Sequence, residues 1–433
     1  MVSRLREIHE HAYGLRARVF RAKGRRWSLL AICLLGLLAT TIGDEIALVS
    51  LTVRFAADSA PGLLVAGLMA SGLAPAIVLG TTYGRLVDRF DRAKILVAVC
   101  VLQSVVAWAM VAATASGLLL GLAFALGALV PLFSVTLYTI LPLIVGPDSV
   151  GSGNAVVEGT RNMGFLIGPA LGGLIVGAWG WRYGLAINAL SFMLVAGASI
   201  ALVANQAHAI RSSAGATRDP ASLTKRQTSL LIWRDRVTAA TLAPLLVAIG
   251  ATSILNVALI FFVRGPLRQG PVAYGVLVSA WGLGMVLGPP LLARYAKAPS
   301  RLSQLAFSGG IAIGVALTLS TVGLPLFLVA CLFVLGGIGN SAQNIAILTL
   351  LASRFAGSER GRAYGGYSAF KNAAVLFGFV LGGWGGPSNS RLFLIISGMT
   401  TTVAAIFGFV IMSTLARAKR HPARADLGHE VEV

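Results

Sequence analysis

Arg161-Asn162-Met163-Gly164-Phe165-Leu166-Ile167-Gly168-Pro169-Ala170-Leu171-Gly172-Gly173 decides the fold, because the chain writes it twice. At a constant offset of 210 residues, Lys371-Asn372-Ala373-Ala374-Val375-Leu376-Phe377-Gly378-Phe379-Val380-Leu381-Gly382-Gly383 repeats the basic-Asn pair, three of the glycines and one leucine in register. Each copy lies inside a long apolar run, and working outward from them the chain holds twelve such runs. They cover roughly Leu29–Val53, Leu63–Tyr83, Ile95–Ser116, Leu118–Val145, Asn154–Trp179, Gly184–Asn205, Thr238–Val263, Val272–Leu292, Leu302–Thr321, Leu324–Leu351, Tyr364–Gly386 and Leu392–Leu415. Each meets the ~20 residues a helix needs to cross ~30 Å of hydrocarbon. The expected fold is an all-α integral membrane protein with twelve transmembrane helices in two pseudo-repeated six-helix bundles. Such a repeat places a transport site between two halves that rock against each other.

Charge fixes the expected sidedness. With the amino terminus inside and the spans alternating, twenty-eight of the thirty-five lysines and arginines fall in cytoplasmic segments. Arg54, Arg182, Arg264, Arg268 and Arg391 fall outside, and Arg161 and Lys371 within the membrane. The positive-inside rule therefore puts both termini in the cytoplasm of a cytoplasmic (inner or plasma) membrane protein.

Composition excludes other classes. Charged residues are 12% and hydrophobic ones 56%, against ~25% charged in soluble proteins. A net charge of +20 is spread over short loops facing lipid headgroups, so membrane lipid is the expected partner and nucleic acid is not. Cys33, Cys100 and Cys331 all lie in spans, which indicates no disulfide framework. The first apolar run is too long for a cleavable signal, and no small-residue cleavage site follows it. The expected segments are a basic amphipathic leader (1–28), a first bundle (29–205), a cytoplasmic linker (206–237), a second bundle (238–415) and a cytoplasmic tail (416–433). Within the linker, Leu223–Arg236 has the makings of a short surface helix.

The connection after the second span reads Gly84-Arg85-Leu86-Val87-Asp88-Arg89-Phe90-Asp91-Arg92-Ala93-Lys94. It resembles the signature loop of the major facilitator superfamily, G-x-L-x-D-R-x-G-R-[KR]-x, with departures at Asp91 and Ala93. The resemblance implies that Gly84, Asp88, Arg89 and Arg92 form a conformational latch. Asp88 would meet the positive N-terminal end of the eleventh span, near Gly361–Gly366. The fifth span carries Gly159, then Gly168, Pro169, Gly172 and Gly173, which resembles the helix-packing motif of the superfamily's proton-antiporting drug and siderophore exporters. There proline removes one backbone hydrogen bond, and the glycines make a smooth face for close packing. The fourth span lacks the arginine that many proton-driven exporters carry in a proton relay.

Ionisable residues within a bilayer face a cavity or a partner. Of fifteen acids, only Asp44, Glu45 and Glu158 lie in spans, and all five histidines lie outside them. Gly43-Asp44 resembles the Gly-Asp of first spans in related exporters, so Asp44 is the first candidate for proton coupling, with Glu45 and then Glu158 behind it. Asp44 and Glu45 are ~100° apart on a helix and cannot point the same way. Glu158 stands three residues before Arg161, the spacing of a local ion pair. By resemblance, spans one, four, seven and ten line the substrate cavity. The candidates there are Thr41, Phe133, Tyr138, Asn256, Asn340 and Asn344, with Arg161 and Lys371 from the repeated stretch.

A mostly apolar cavity with a few amides suits an amphipathic solute better than a sugar. The resemblance implies a secondary active, multidrug-resistance type of exporter, exchanging a small molecule for protons by alternating access. A siderophore or metabolite exporter and a lysolipid flippase are the alternatives on the same fold, and a non-transporting scaffold is the remaining one. No Walker loop, metal-ligand cluster or nucleophile elbow is present, so neither an enzyme, a metal nor a cofactor is expected. An oligomeric partner has no signature.

Overall fold

A computed structural model describes residues 33–58, 60–145, 150–211, 231–292, 295 and 301–418. The leader 1–28, most of the linker and the tail beyond 418 lie outside the described residues. Six helices form the first half: α1 (Cys33–Phe55), α2 (Pro61–Arg89), α3 (Arg92–Ala112), α4 (Ser116–Val145), α5 (Val150–Trp179) and α6 (Trp181–Arg211). A single turn, α7 (Leu231–Arg234), precedes the second half: α8 (Arg236–Arg264), α9 (Pro271–Leu292), α10 (Leu302–Ser320), α11 (Leu326–Arg354), α12 (Gly357–Gly385) and α13 (Ser390–Ala418). Ten of the twelve long helices carry, within the described residues, a stretch long and apolar enough to cross a membrane. In α12 the run is diluted by Lys371, Asn372 and its glycines.

Several helices outrun the apolar segments that announced them, since hydropathy registers only the part in hydrocarbon. The consequence is largest at the signature. Gly84 to Arg89 are not in a loop but in the last turns of α2, and only Phe90 and Asp91 separate α2 from α3. Of the short surface helix expected over Leu223–Arg236, the described part is α7. Its Ile232 is fully buried and its Trp233 packs edge-on against Phe370 of α12, ring centroids 5.2 Å apart.

Asp235, between α7 and α8, accepts hydrogen bonds at 2.9 Å from the Thr238 N–H and at 2.5 Å from its hydroxyl, an N-cap for α8. It also takes both prongs of the Arg354 guanidinium at 3.1 and 3.2 Å, tying the start of α8 to the end of α11. Burial pushes the Asp235 carboxyl up, but the Thr238 and Arg354 donors outweigh it and hold it below the usual range.

Lipid gives helices no hydrophobic reason to associate, so close backbone approach has to hold them. The repeated stretch supplies it twice. On α5, Gly164, Gly168 and Gly172 stack at four-residue spacing against α1. A Cβ there would sit 2.5 Å from Thr41 Cγ2, 2.5 Å from Glu45 Cβ and 3.1 Å from Ile46 Cα respectively. On α12, Gly378 and Gly382 do the same against α8, meeting Ser253 Cβ at 2.8 Å and Val257 Cβ at 3.0 Å. The next glycine of each copy turns to the other bundle. Gly173 meets Pro271 and Gly275 of α9, and Gly383 meets Gly62 and Ala66 of α2. The seams between bundles are thus α5–α9 and α2–α12, exchanged by the same pseudo-symmetry that relates the sequences.

Those seams cover only one end of the molecule. Away from the start of α1 and the end of α13, one continuous core spans both bundles. It runs from Phe55 and Val65 of the first through Ile254–Val263 and Leu277 to Phe333 and Leu394 of the second. At the other end, here the terminal side, the bundles keep separate cores. One is built on Val87, Leu96, Val99 and Phe133, the other on Leu245, Phe307, Ile347 and Tyr367. One shared core at one end and two at the other describe a wedge, closed on the far side and parted on the terminal side.

Candidate functional site

A cavity of about 330 Å³ lies under the closed end, near the middle of the helices. The first bundle gives it Glu45 and Leu48 from α1, Met69 from α2 and Phe165 from α5. The second gives Thr252 and Asn256 from α8, Tyr274, Trp281 and Met285 from α9, Phe333, Asn340 and Asn344 from α11, and Lys371 and Val375 from α12. Trp281 and Phe333 meet edge to face, 6.1 Å between centroids. The Asn344 amide donates to Asn340 Oδ1 at 3.0 Å, and the Asn256 amide donates to the Ser253 carbonyl at 3.3 Å. Lys371 Nζ stands 6.0 Å from the Tyr367 ring. Neither Glu45 nor Lys371 is in an ion pair among the described residues.

Glu45 is held where it is by the glycine seam. Its Cβ lies against Gly168, where α5 crosses α1, and this fixes the rotation of α1 so that the carboxylate turns into the cavity. Asp44, one residue earlier, turns away into a second, small pocket of about 30 Å³ inside the first bundle, lined also by Thr40, Thr41, Gln103, Phe133, Ser134 and Arg161. There the Asn188 side chain hydrogen-bonds to Asp44, and Arg161 is near enough to act on its charge. Arg161 donates to Ser134 Oγ at 2.8 Å and lies 5.8 Å over the Tyr138 ring. Gln103 Oε1 and Arg161 Nε are buried with no hydrogen-bond partner among the described residues.

The structure therefore separates the expected cavity residues. Asn256, Asn340, Asn344 and Lys371 line the central cavity. Thr41, Phe133 and Arg161 line the first-bundle pocket, where the Thr41 hydroxyl is returned to the Leu37 carbonyl at 2.7 Å. Tyr138 lines neither. Its hydroxyl donates to Glu158, which is exposed. The expected Glu158–Arg161 ion pair is not formed, because Tyr138 and Ser134 of α4 take one partner each. Correspondingly, α4 contributes none of the described residues lining the central cavity, while α9, which was not expected there, does, and α12 enters through the expected Lys371.

Of the packing motif, Gly168, Gly172 and Gly173 lie in seams and the Pro169 carbonyl abuts Gly275. The Ala170 N–H donates across the seam to Ser279 Oγ at 2.9 Å. Gly159 departs from the expectation: it is exposed, with open space where a Cβ would stand, and Gly164 does the packing instead. Of the latch, Gly84, Asp88, Arg89 and Arg92 flank the α2–α3 connection, with Arg89 exposed. Gly361 and Gly365 on α12 have open space beside them.

Sequence reasoning missed the aromatic wall of Phe165, Tyr274, Trp281 and Phe333. One signal was available. Tryptophan belongs at membrane interfaces, yet Trp281 stands mid-span among Gly282 and Gly284, which marks a cavity-facing ring.

No curated protein matches the chain. Among solved structures, a bacterial homologue of the iron transporter ferroportin in an inward-facing state superposes with a TM-score of 0.66, at 15% identity over 89% of this chain and 99% of that one. The nucleoside transporter NupG gives 0.69 at 14% identity over 89% and 98%. A bacterial homologue of the human lysosomal transporter Spinster, inward-facing and unoccupied, gives 0.64 at 13% over 90% and 98%. These likenesses establish the fold. The Major Facilitator Superfamily model matches residues 33–334 and again 248–431, so the chain, with its two related bundles around a central cavity, belongs to that superfamily of membrane transporters and is not an enzyme.

Proposed function

We propose that the protein is a secondary active exporter of amphipathic small molecules, driven by proton antiport across a cytoplasmic membrane with both termini inside. The observation that carries this reading is the central cavity itself. Aromatic and aliphatic walls surround the carboxylate of Glu45, which is in no ion pair among the described residues. A cation-bearing solute and a proton are alternative occupants of such a carboxylate, and exclusive occupancy is what an exchanger requires. Asp44, bonded to Asn188 with Arg161 beside it, faces the first-bundle pocket and not the central cavity, so the geometry favours Glu45 over Asp44. With the termini cytoplasmic, the parted end faces the side from which an exporter loads.

The test is transport by purified protein in proteoliposomes with an imposed pH gradient, using tetraphenylphosphonium and ethidium as probes. Accumulation that collapses when the gradient is dissipated supports the reading. Accumulation insensitive to the gradient would remove the proton from it.

Orientation is checked separately, in a background with Cys33, Cys100 and Cys331 replaced by alanine. A cysteine at Ser353 is expected to resist an impermeant thiol reagent applied to intact cells, and one at Gln269 to react. The reverse pattern would turn the protein over in the membrane.

The latch role of Gly84, Asp88, Arg89 and Arg92 belongs to the state closed on the terminal side. Asp88→Asn removes the charge that favours that state at the start of α12. A several-fold fall in transport rate with normal expression is expected, since only differential stabilisation of one conformer shifts the cycle. Unaltered transport kinetics would reject the role.

A further inference from the structure

Two opposite charges face the central cavity from different bundles, Glu45 on α1 and Lys371 on α12, and neither has an ionic partner among the described residues. We infer that the cavity is built for an amphoteric solute. Its cationic group faces Glu45, its anionic group faces Lys371, and its flat apolar body lies against Phe165, Trp281 and Phe333. This deepens the export reading and rests on it, since it takes the same cavity as the transport site.

Charge conservation across the cycle supports the assignment. Ionised groups in a membrane interior are costly unless a partner or water meets them. In the parted state water reaches the cavity, and Asn256 and Asn344 are exposed to it. When the terminal side closes, that water is reduced and both charges need compensation together. A solute with a single positive charge satisfies Glu45 and leaves Lys371 with little but the face of Tyr367, 6.0 Å away. A solute carrying both charges satisfies both and joins the two bundles through itself. Closure then rewards the loaded state specifically, as differential binding requires.

The amides fit the same solute. Asn340 and Asn344 spend one donor and one acceptor on each other, leaving further N–H groups and the Asn344 Oδ1 to meet either end of a polar ligand. At about 330 Å³ the space admits a body of one to three rings. Arg161, the repeat counterpart of Lys371, is turned into the first-bundle pocket, so Lys371 alone of the pair is presented to the solute.

The experiment measures binding to the full-length protein in lipid nanodiscs by titration calorimetry, using two bodies of different length. These are 4-(aminomethyl)benzoic acid and 4′-(aminomethyl)biphenyl-4-carboxylic acid, each as the zwitterion, the methyl ester (cation only) and the N-acetyl form (anion only). At one length or both, the zwitterion is expected to bind at least about tenfold more tightly than either single-charge form, as a second charge-assisted contact implies. Lys371→Met should bring the zwitterion down to the ester's affinity, Glu45→Gln down to the N-acetyl form's, and Lys371→Arg should keep the preference, which guards against a folding defect. Esters that bind as tightly as the zwitterions at both lengths overturn the inference, as does failure of both zwitterions to bind. Tetraphenylphosphonium transport in parallel proteoliposomes separates the two ideas. Its gradient-driven export leaves the exporter reading standing when the amphoteric site has fallen, and failure of both tetraphenylphosphonium and the zwitterions to be moved by the gradient removes both.

Discussion

Glu45→Gln is expected to abolish pH-gradient-driven accumulation of solute in proteoliposomes while leaving downhill exchange measurable. Glutamine keeps the size of the side chain and the contact of its Cβ with Gly168, so the crossing of α1 and α5 is preserved and the protein should fold. What disappears is a group that can hold a proton in one access state and give it up in the other. Coupling requires that the carrier not return empty and deprotonated. With a permanently neutral residue the return step no longer depends on protons, and the gradient has nothing to act on. Asp44→Asn is the internal comparison. It disturbs a pocket that already contains Asn188 and Arg161, and should reduce the rate without removing the drive. The opposite pattern, with uphill transport intact in Glu45→Gln and lost in Asp44→Asn, would move coupling into the first bundle. Full drive in both variants and in the double variant would leave Glu158, bonded to Tyr138, as the remaining acid to test.

Which of the two adjacent acids lines the central cavity could not be read from the chain. Adjacent residues on a helix diverge by a known angle, but which of them meets the cavity depends on how α1 is rotated, and that is set by Gly164, Gly168 and Gly172 of a helix more than a hundred residues away. The glycines themselves were legible, because their spacing and their recurrence at α12 are sequence facts. The same distinction explains Glu158. A three-residue spacing to Arg161 is a local argument, and it lost to Ser134 and Tyr138 arriving from α4. It also explains the cavity walls. Spans were assigned to the cavity by resemblance, helix by helix, whereas the closed far end brings in α9 through Tyr274 and Trp281 and keeps α4 out. Apolar length announces the helices but understates them, so the signature from Gly84 to Arg89 reads as a loop in the sequence although it continues α2. Secondary structure and the two-fold repeat are written locally. Rotation about each helix axis, which decides every site residue, is written in contacts between helices.

Gly275→Val is expected to shift the protein out of the wedge closed on the far side, and a matched variant on the same helix shows why. In α9, Gly275 lies against α5 of the other bundle, so that a Cβ would strike the Pro169 carbonyl and come within 3.1 Å of Gly173 Cα. Backbone on both sides leaves no flexible side chain to give way, and the strain falls on the seam between bundles. Overpacking of this kind costs about 1–3 kcal/mol. Because the α5–α9 seam belongs to the state closed on the far side, a penalty of that size changes the population ratio of the two access states by about 5- to 150-fold. Gly284, on the same helix, meets Val334 and Gly337 of α11 within its own bundle, with a Cβ 2.8 Å from Gly337 Cα. Gly284→Val should therefore lower the melting temperature without favouring either access state. Spin labels at Tyr183 and Gln269, both exposed on the far side, supply the readout. Gly275→Val should lengthen their separation and slow transport at near-normal thermal stability, whereas Gly284→Val should leave the separation alone. If Gly275→Val retains both the wild-type distance distribution and the wild-type rate, the α5–α9 seam does not govern access. The glycines of the repeated stretch would then be helix packing and no more.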